Sequence, residues 1–126
     1  MNTHPPRFRL PRSHRLSGAK QFEAVFASRV RKTLGPIAVC GRANGLPHGR
    51  LGLSVPRRVG SAVKRNRIKR LLREAYRLDQ NELPVGYDWV VVVRPHEALA
   101  LAEYRHLFMT AAASVHRRLS ASSDRP

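Results

Sequence analysis

The segment 54–77 constrains this chain most, because it places dense positive charge on a pattern that is typical of a helix. It contains nine Lys/Arg residues and a single acidic residue, Glu74. Such a density of like charge repels itself unless solvent or an anionic partner accommodates it. The apolar residues within the segment keep helical spacing, so we expect a folded element and not a disordered tail.

A helical projection separates two faces of this segment, in which we predict a helix over residues 60–78. At about 100° per residue, the side chains within about 80° of Ile68 are apolar; they are Leu71, Leu72, Ala75 and Tyr76. The opposite face carries what we call the cationic row: Asn66, Arg70, Arg73 and Arg77, flanked by Arg67 and Lys69. Lys64 and Arg65 map nearer the apolar side, so we expect them to act at the first turn. One face therefore packs on a sheet and the other presents cations.

The composition of the whole chain favours a polyanionic partner. The 24 Lys/Arg and eight Asp/Glu residues give a formal net charge of +16 over 126 residues, and arginine outnumbers lysine 20 to 4. A polyphosphate supplies the counter-charge and releases condensed cations, which makes binding strong and salt-dependent. Guanidinium groups suit bidentate phosphate contacts, although genomic base composition could produce the same arginine bias.

Length and cysteine content limit the class of protein. The length allows one domain with a modest core. The single cysteine, Cys40, excludes an internal disulfide framework and a cysteine-based zinc site, and a reducing cytoplasm is the simplest location. No apolar run reaches the roughly 18 residues of a membrane helix, and the N-terminal residues lack the apolar core of a secretory signal. We therefore expect a cytoplasmic protein without a membrane partner.

Prolines and hydrophobic periodicity divide the chain into three parts. Residues 1–15 form a basic and flexible arm in this interpretation, because Pro5, Pro6 and Pro11 oppose a helix. Residues 16–119 form a single domain, and residues 120–126 form a polar, frayed tail.

Within the domain we predict an α/β (α+β) two-layer sandwich with three or four strands, three helices and the order α-β-β-(β)-α-β-α. A first helix over 18–28, with Ser17 as N-cap, places Phe22, Val25 and Phe26 on one face. Strands are predicted over 37–40, 51–55 and 89–93, with room for one more within 30–44. The continuous apolar run 89–93 is typical of a strand that is covered on both faces. The last helix is predicted over 98–119.

The sequence shows no arrangement that is typical of a metal-dependent active site. The eight acids are scattered, the six histidines have no metal-ligand spacing, and no glycine-rich loop precedes Lys-Ser or Lys-Thr. Ordinary solvated faces interleave acids with bases, and the cationic row barely does, so binding is favoured over a merely solvated surface. The chain is therefore equipped to bind a nucleic acid and not to cut it unaided.

The two phenylalanines of the first helix allow two interpretations. Phe22 and Phe26 either pack in the core or form a partly open aromatic wall on which unpaired bases stack, at about 1–3 kcal/mol per base. Both hold if the helix forms one wall of a groove whose floor is the sheet.

The central segment resembles the protein subunit of bacterial ribonuclease P. Arg65-Asn66-Arg67, continued through residues 68–74, follows a strand at 51–55 and the basic pair Arg57-Arg58. Upstream, residues 20–26 are similar to the family's first helix with its two phenylalanines, and residues 88–94 are similar to a later strand. The similarity covers about residues 8–118.

The resemblance implies a mixed sheet with helices packed on it and a left-handed βαβ crossover. It also implies that the RNA subunit, using Mg²⁺, hydrolyses precursor tRNA at the mature 5′ end, so that no catalytic residue lies in the protein itself. The implied RNA-binding residues are Arg57, Arg58, Lys64, Arg65, Asn66, Arg67, Lys69, Arg70, Arg73 and Arg77. The implied cleft for the 5′ leader, between the first helix and the sheet, contains Lys20, Phe22 and Phe26.

The partners expected from this resemblance are ribonuclease P RNA, with one protein per RNA, and precursor tRNA. Mg²⁺ is expected to be bound mainly by the RNA, and the protein to hold no metal or small-molecule cofactor of its own. Three other functions stay open: a ribosomal or other structural RNA-binding protein without processing activity, a metal-dependent nuclease that acts alone, and an architectural DNA-binding protein.

Overall fold

A computed structural model of the chain describes residues 10–123. Its order of elements confirms the prediction and includes the additional strand within residues 30–44. The elements are α1 (Gly18–Phe26), β1 (Arg31–Leu34), β2 (Ile37–Ala43), β3 (Arg50–Ser54), α2 (Ala62–Asp79), β4 (Tyr87–Val93) and α3 (Leu101–Ser123). β1 and β2 form a hairpin with a two-residue turn, in which Gly35 has the positive φ of 54° that such turns favour.

The four strands form one mixed sheet in the order β1-β2-β4-β3. β2 pairs antiparallel with both β1 and β4, whereas β3 pairs parallel with β4. Because α2 connects these two parallel neighbours, β3, α2 and β4 form a βαβ unit. The mixed sheet packed by three helices is therefore confirmed.

Both faces of the central strand β4 are covered, as its apolar run predicts. Trp89, Val91 and Val93 join the larger core cluster, to which α2 and α3 contribute. Val90 joins a smaller cluster with Val25 of α1. Because neighbouring residues of a strand point to opposite faces, α2 and α3 form one helical layer and α1 covers part of the other face.

The predicted faces of α2 are confirmed by burial. Ile68, Leu72, Ala75 and Tyr76 are buried, and Leu71 is half-buried. Ser61 caps the helix, since its side-chain oxygen accepts a hydrogen bond from the Lys64 N–H at 3.2 Å. Burial of this apolar stripe fixes the rotation of α2 and so determines which side chains face outward.

The last residues of the predicted arm, 10–15, pack against the folded domain. Residues 1–9 lie outside the described part of the chain, whereas Leu10 is buried with 4% of its surface exposed. The Arg15 Nε donates to the Leu10 carbonyl at 2.7 Å, and the Leu16 N–H donates to the Leu51 carbonyl at 3.0 Å. Residues 10–16 therefore pack along the outer edge of β3, because two leucines can be buried there.

Helix α3 begins and ends later than predicted. It starts at Leu101 because residues 98–100 form a loop that is held by Tyr104, whose hydroxyl accepts a hydrogen bond from the Leu99 N–H at 3.2 Å. It continues into residues 120–123 of the predicted tail, and residues 124–126 lie outside the described part. Of the helices in the described part, none has the length and apolarity needed to span a membrane.

Candidate nucleic-acid interface

The cationic row lies on the outer face of α2, where burial of the opposite face places it. Asn66, Arg67, Arg70 and Arg73 are exposed, and Lys69 is half-buried. A helix that is anchored over 18 residues holds these side chains at fixed spacing. The helix backbone therefore spaces the cations of the row regularly along one face.

The charged side chains near the two ends of α2 already have partners. Arg77 Nε donates to Glu74 Oε2 at 2.9 Å, and this contact lowers the pKa of Glu74 and raises that of Arg77. Lys64 Nζ lies 3.1 Å from Glu97 Oε1, and Arg65 Nε donates to the Gly60 carbonyl at 3.1 Å. Lys64, Arg65 and Arg77 are predicted from the sequence as RNA contacts. On binding RNA, each would exchange its protein partner for a phosphate or share it.

The middle of the row is different. Within residues 10–123, no carboxylate lies within ion-pair distance of Arg67, Arg70 or Arg73. Three exposed guanidinium groups on successive turns thus carry positive charge that no described residue neutralises. This part of the surface is best suited to a polyanion.

The basic pair Arg57-Arg58 lies in a short 3-10 turn that connects β3 to α2. Both side chains are exposed, whereas the next residue, Val59, is 3% exposed and anchors the turn in the core. The pair therefore extends the cationic surface beyond the N-terminus of α2.

A residue that the sequence did not place at this surface also contributes to it. The pKa of the Arg73 guanidinium is lowered, first by partial burial and second by the positive charge of Arg15. Arg15 therefore lies close enough to Arg73 to add to the row. The only sign of this role in the sequence is that Arg15 directly precedes the apolar Leu16. The proximity of Arg15 to Arg73 depends on how residues 10–16 follow β3.

On the other face of the sheet, α1 forms one wall of a trough. Phe22 is half-buried against the sheet, Val25 is fully buried, and Phe26 is 42% exposed. Lys20 is exposed on the same helix. Thus Phe22 packs on the sheet, as a core residue does, whereas the ring of Phe26 is open for stacking. The structure therefore combines the two interpretations of the phenylalanines.

The floor of this trough is a row of side chains across all four strands. Register places Thr33, Ala38, Val92 and Ser54 side by side, from β1 to β3. Val92 and Ser54 are half-buried and Thr33 is exposed, whereas Ala38 is buried, so α1 leaves part of this strip of the sheet open. The strip is apolar at its centre and polar at its ends, as suits contact with both bases and backbone.

A buried carboxylate fixes one end of the same sheet face. Asp88 is 1% exposed and accepts hydrogen bonds from Arg50 Nε at 2.8 Å, Arg50 Nη2 at 2.7 Å and Asn44 Nδ2 at 2.8 Å. Burial alone would raise the pKa of Asp88, but the hydrogen bonds from Arg50 and Asn44 bring it below its ordinary value. Arg50 therefore stabilises the sheet and is not a free cation.

Among residues 10–123, Cys40 and the acidic residues show no arrangement for metal binding. Cys40 is buried, and burial raises the pKa of its thiol. In the part of the chain that the structure describes, no three His, Cys, Asp or Glu side chains are grouped so that they could hold a metal ion.

Comparisons with known proteins agree with this geometry. The family model described as Ribonuclease P matches residues 10–117. The ribonuclease P protein component of Brevibacillus brevis is 42% identical over 94 residues, which cover 71% of this chain and 73% of that protein. The protein of the same name from Escherichia coli K12 is 47% identical over 85 residues, which cover 67% and 71%.

Solved structures show the same fold. The RNase P protein from Thermotoga maritima superposes with a TM-score of 0.69 at 30% identity, over 76% of this chain and 92% of that one. An RNase P protein structure from Staphylococcus aureus superposes with a TM-score of 0.69 at 24% identity, over 78% and 91%, and supports the fold alone.

Proposed function

This chain belongs to the ribonuclease P protein family, and from that premise we propose that its two surfaces bind two RNAs of one tRNA-processing complex. As a member of this family it is the protein subunit of an endoribonuclease. In our proposal the cationic row binds the catalytic RNA, one protein to one RNA, and the trough beside α1 binds the 5′ leader of precursor tRNA. The complex then removes the leader in the cytoplasm.

The observation that carries this proposal is the charge of Arg67, Arg70 and Arg73, which no carboxylate within residues 10–123 neutralises, on a helix anchored by its buried face. Guanidinium groups make bidentate contacts with phosphate oxygens, and neutralising phosphates releases condensed counterions. Arg57 and Arg58 extend the same surface. The row therefore binds the phosphate backbone of the RNA, and this binding depends strongly on salt concentration.

The trough suits a single strand. A single-stranded leader has no groove to be read, so its contacts are to base faces and to the backbone. Phe22 and Phe26 offer aromatic surface for stacking, and Lys20 lies on the same helix for a phosphate.

We infer that bond cleavage takes place on the RNA subunit and that Mg²⁺ is bound mainly by RNA phosphates. An RNA active site repels a second polyanion, and the protein's cations reduce that repulsion. The leader is present in precursor tRNA and absent from mature tRNA. The protein therefore favours substrate over product through a contact that only the substrate makes.

The test is reconstitution with a bacterial ribonuclease P RNA at low Mg²⁺, followed by 5′ processing of a precursor tRNA. We expect the protein to restore cleavage that the RNA performs poorly alone under these conditions. The double variant Arg67→Ala/Arg70→Ala should lose most of this stimulation. A matched control, Lys32→Ala/Arg117→Ala, removes the same charge from exposed positions on β1 and α3 and should keep it.

Two outcomes would reject the proposal. One is cleavage of precursor tRNA by the purified protein without RNA, which a nuclease acting alone would show. The other is a protein that binds ribosomal RNA but never stimulates the ribonuclease P RNA, as a structural RNA-binding protein would.

A further inference from the structure

A pocket of about 210 Å³ lies beside the end of α2, next to the cationic row but lined by none of its residues. Tyr76 and Gln80 line it from α2 and the turn that follows, and Trp89 lines it from β4. The pocket is larger than the roughly 30 Å³ that a water molecule occupies in the liquid. It is smaller than the roughly 300–1,000 Å³ of sites for drug-sized ligands, so it suits a single ring system.

The pocket contains a buried hydrogen-bond donor that has no partner among the described residues. Trp89 is 0% exposed, and its Nε1 makes no hydrogen bond to residues 10–123. The benzene edge of the indole lies against Gly41, where a Cβ would come within 2.9 Å of Cζ3. The pyrrole edge with Nε1 therefore faces away from Gly41, and Trp89 is among the residues that line the pocket. A buried N–H group without a protein partner is costly, so this one is available to an acceptor from outside the chain.

The walls of the pocket are flat and carry little charge. The rings of His14 and His48 stack at a centroid distance of 4.2 Å and an angle of 22°, and Pro47 and Pro84 lie beside them. Burial and the neighbouring His48 lower the pKa of His14, which favours its uncharged imidazole. Such walls suit an uncharged planar ring better than a phosphate.

The cationic row leads to this pocket. Tyr76 follows Arg73 by one turn on α2. From the other side, His14 immediately precedes Arg15, whose charge acts on Arg73. An RNA strand whose phosphates contact Arg73 and Arg15 therefore passes the pocket mouth.

We propose that this pocket receives one unpaired nucleobase of the RNA on the cationic row, with a base acceptor atom bonded to Trp89 Nε1. The base comes from ribonuclease P RNA or from precursor tRNA, which share this chemistry. The inference rests on the proposed function, since the row must first hold RNA. It adds a base-specific interaction to a surface that otherwise reads only phosphates.

Trp89 is the single tryptophan of the chain, so tryptophan fluorescence reports on the surroundings of this one ring. The full protein is titrated with ribonuclease P RNA, with precursor tRNA and with a fully paired RNA duplex, while labelled RNA reports binding independently. The RNA that supplies the base should shift the emission maximum of Trp89, whereas the duplex should bind without such a shift. If both single RNAs bind and the emission of Trp89 stays the same, the pocket proposal is overturned and the proposed function stands. If no RNA binds, both the pocket proposal and the proposed function are rejected.

Variants give a second measurement that does not depend on fluorescence. His14→Ala and His48→Ala should each weaken binding of the inserting RNA by at least about 5-fold, the lower end of what stacking of one base contributes. The salt dependence of binding should stay as in the unaltered protein, because every arginine that binds a phosphate is still present. His106→Ala, exposed on α3, is the matched control. Affinities of both pocket variants equal to that of the control would overturn the proposal.

Discussion

The ring of Phe22 lies directly over Gly52, so closely that a Cβ on Gly52 would come within 2.7 Å of Phe22 Cζ. This contact joins α1 to β3 and positions the ring of Phe22 at the trough wall. Glycine is needed at this position because any side chain would occupy the space of the aromatic ring.

Gly52→Ala should therefore displace Phe22 and change both stability and leader binding. Overpacking of this kind costs about 1–3 kcal/mol, which urea denaturation measures, and affinity for precursor tRNA should fall with it. Adding Phe22→Leu to Gly52→Ala should recover part of the stability, since the smaller side chain restores the space. Gly52→Ala with unaltered stability and unaltered affinity would show that Phe22 is not held by Gly52.

Arg70→Ala should weaken binding to ribonuclease P RNA and reduce the salt slope by about one unit for each phosphate that Arg70 neutralises. Arg117→Ala removes the same charge from an exposed position on α3. The adjacent Arg118 donates to the Arg31 carbonyl, which places that end of α3 beside β1, at the sheet edge opposite β3. Binding isotherms at several salt concentrations compare the two variants. Equal slopes for both would mean that the row acts only through net charge.

Leu72→Ala should destabilise the protein by about 2–5 kcal/mol, because Leu72 is 1% exposed and its truncation leaves a cavity. Urea unfolding followed by circular dichroism measures this destabilisation. Arg70→Ala, on the opposite face of the same helix, is the control and should unfold like the unaltered protein. If Arg70→Ala lowered the free energy of unfolding and Leu72→Ala did not, the two faces of α2 would be assigned the wrong way round.

Acid should weaken the fold partly through Asp88. The pKa of Asp88 is lower in the folded protein than its ordinary value, so its stabilising effect is present above that ordinary value. The effect is lost as pH falls through the lower folded pKa, where the carboxylate takes up a proton. Thermal unfolding between pH 7 and about pH 2 should therefore show a declining free energy of unfolding at the acid end.

Two variants separate Asp88 from the other carboxylates with lowered pKa values. Asp88→Asn leaves Arg50 largely buried without its counter-charge and should cost about 3–5 kcal/mol at pH 7, with a shallower acid decline. Asp79→Asn breaks the ion pair with Arg105 at the surface and should cost less, because solvent screens that pair. A steeper acid decline in Asp88→Asn than in the unaltered protein would contradict this assignment.

The faces of α2 could be predicted from the sequence because they depend on local periodicity. The apolar stripe from Ile68 to Tyr76 is regular, and it fixes the direction of Arg70 and Arg73 without further information. The same holds for β4, whose unbroken apolar run required cover on both faces. The partner of Arg77 is also local, since Glu74 lies three residues before it.

The remaining features depend on how distant segments pack together. The proximity of Arg15 to Arg73 follows from the packing of residues 10–16 along β3, which no local pattern indicates. The packing of Phe22 on Gly52 requires the position of α1 on the sheet. The C-terminal end of α3 was placed too early because residues 120–123, three serines and one alanine, carry no hydrophobic periodicity.

The central claim, that the protein favours substrate over product through the leader, is tested most directly by four dissociation constants. These are for precursor and mature tRNA on ribonuclease P RNA, each with and without the protein, at one Mg²⁺ and salt concentration. We predict that the protein raises the preference for precursor over mature tRNA, and that Phe22→Ala and Phe26→Ala together reduce this gain. A precursor-to-mature ratio that is the same with and without the protein would contradict the account.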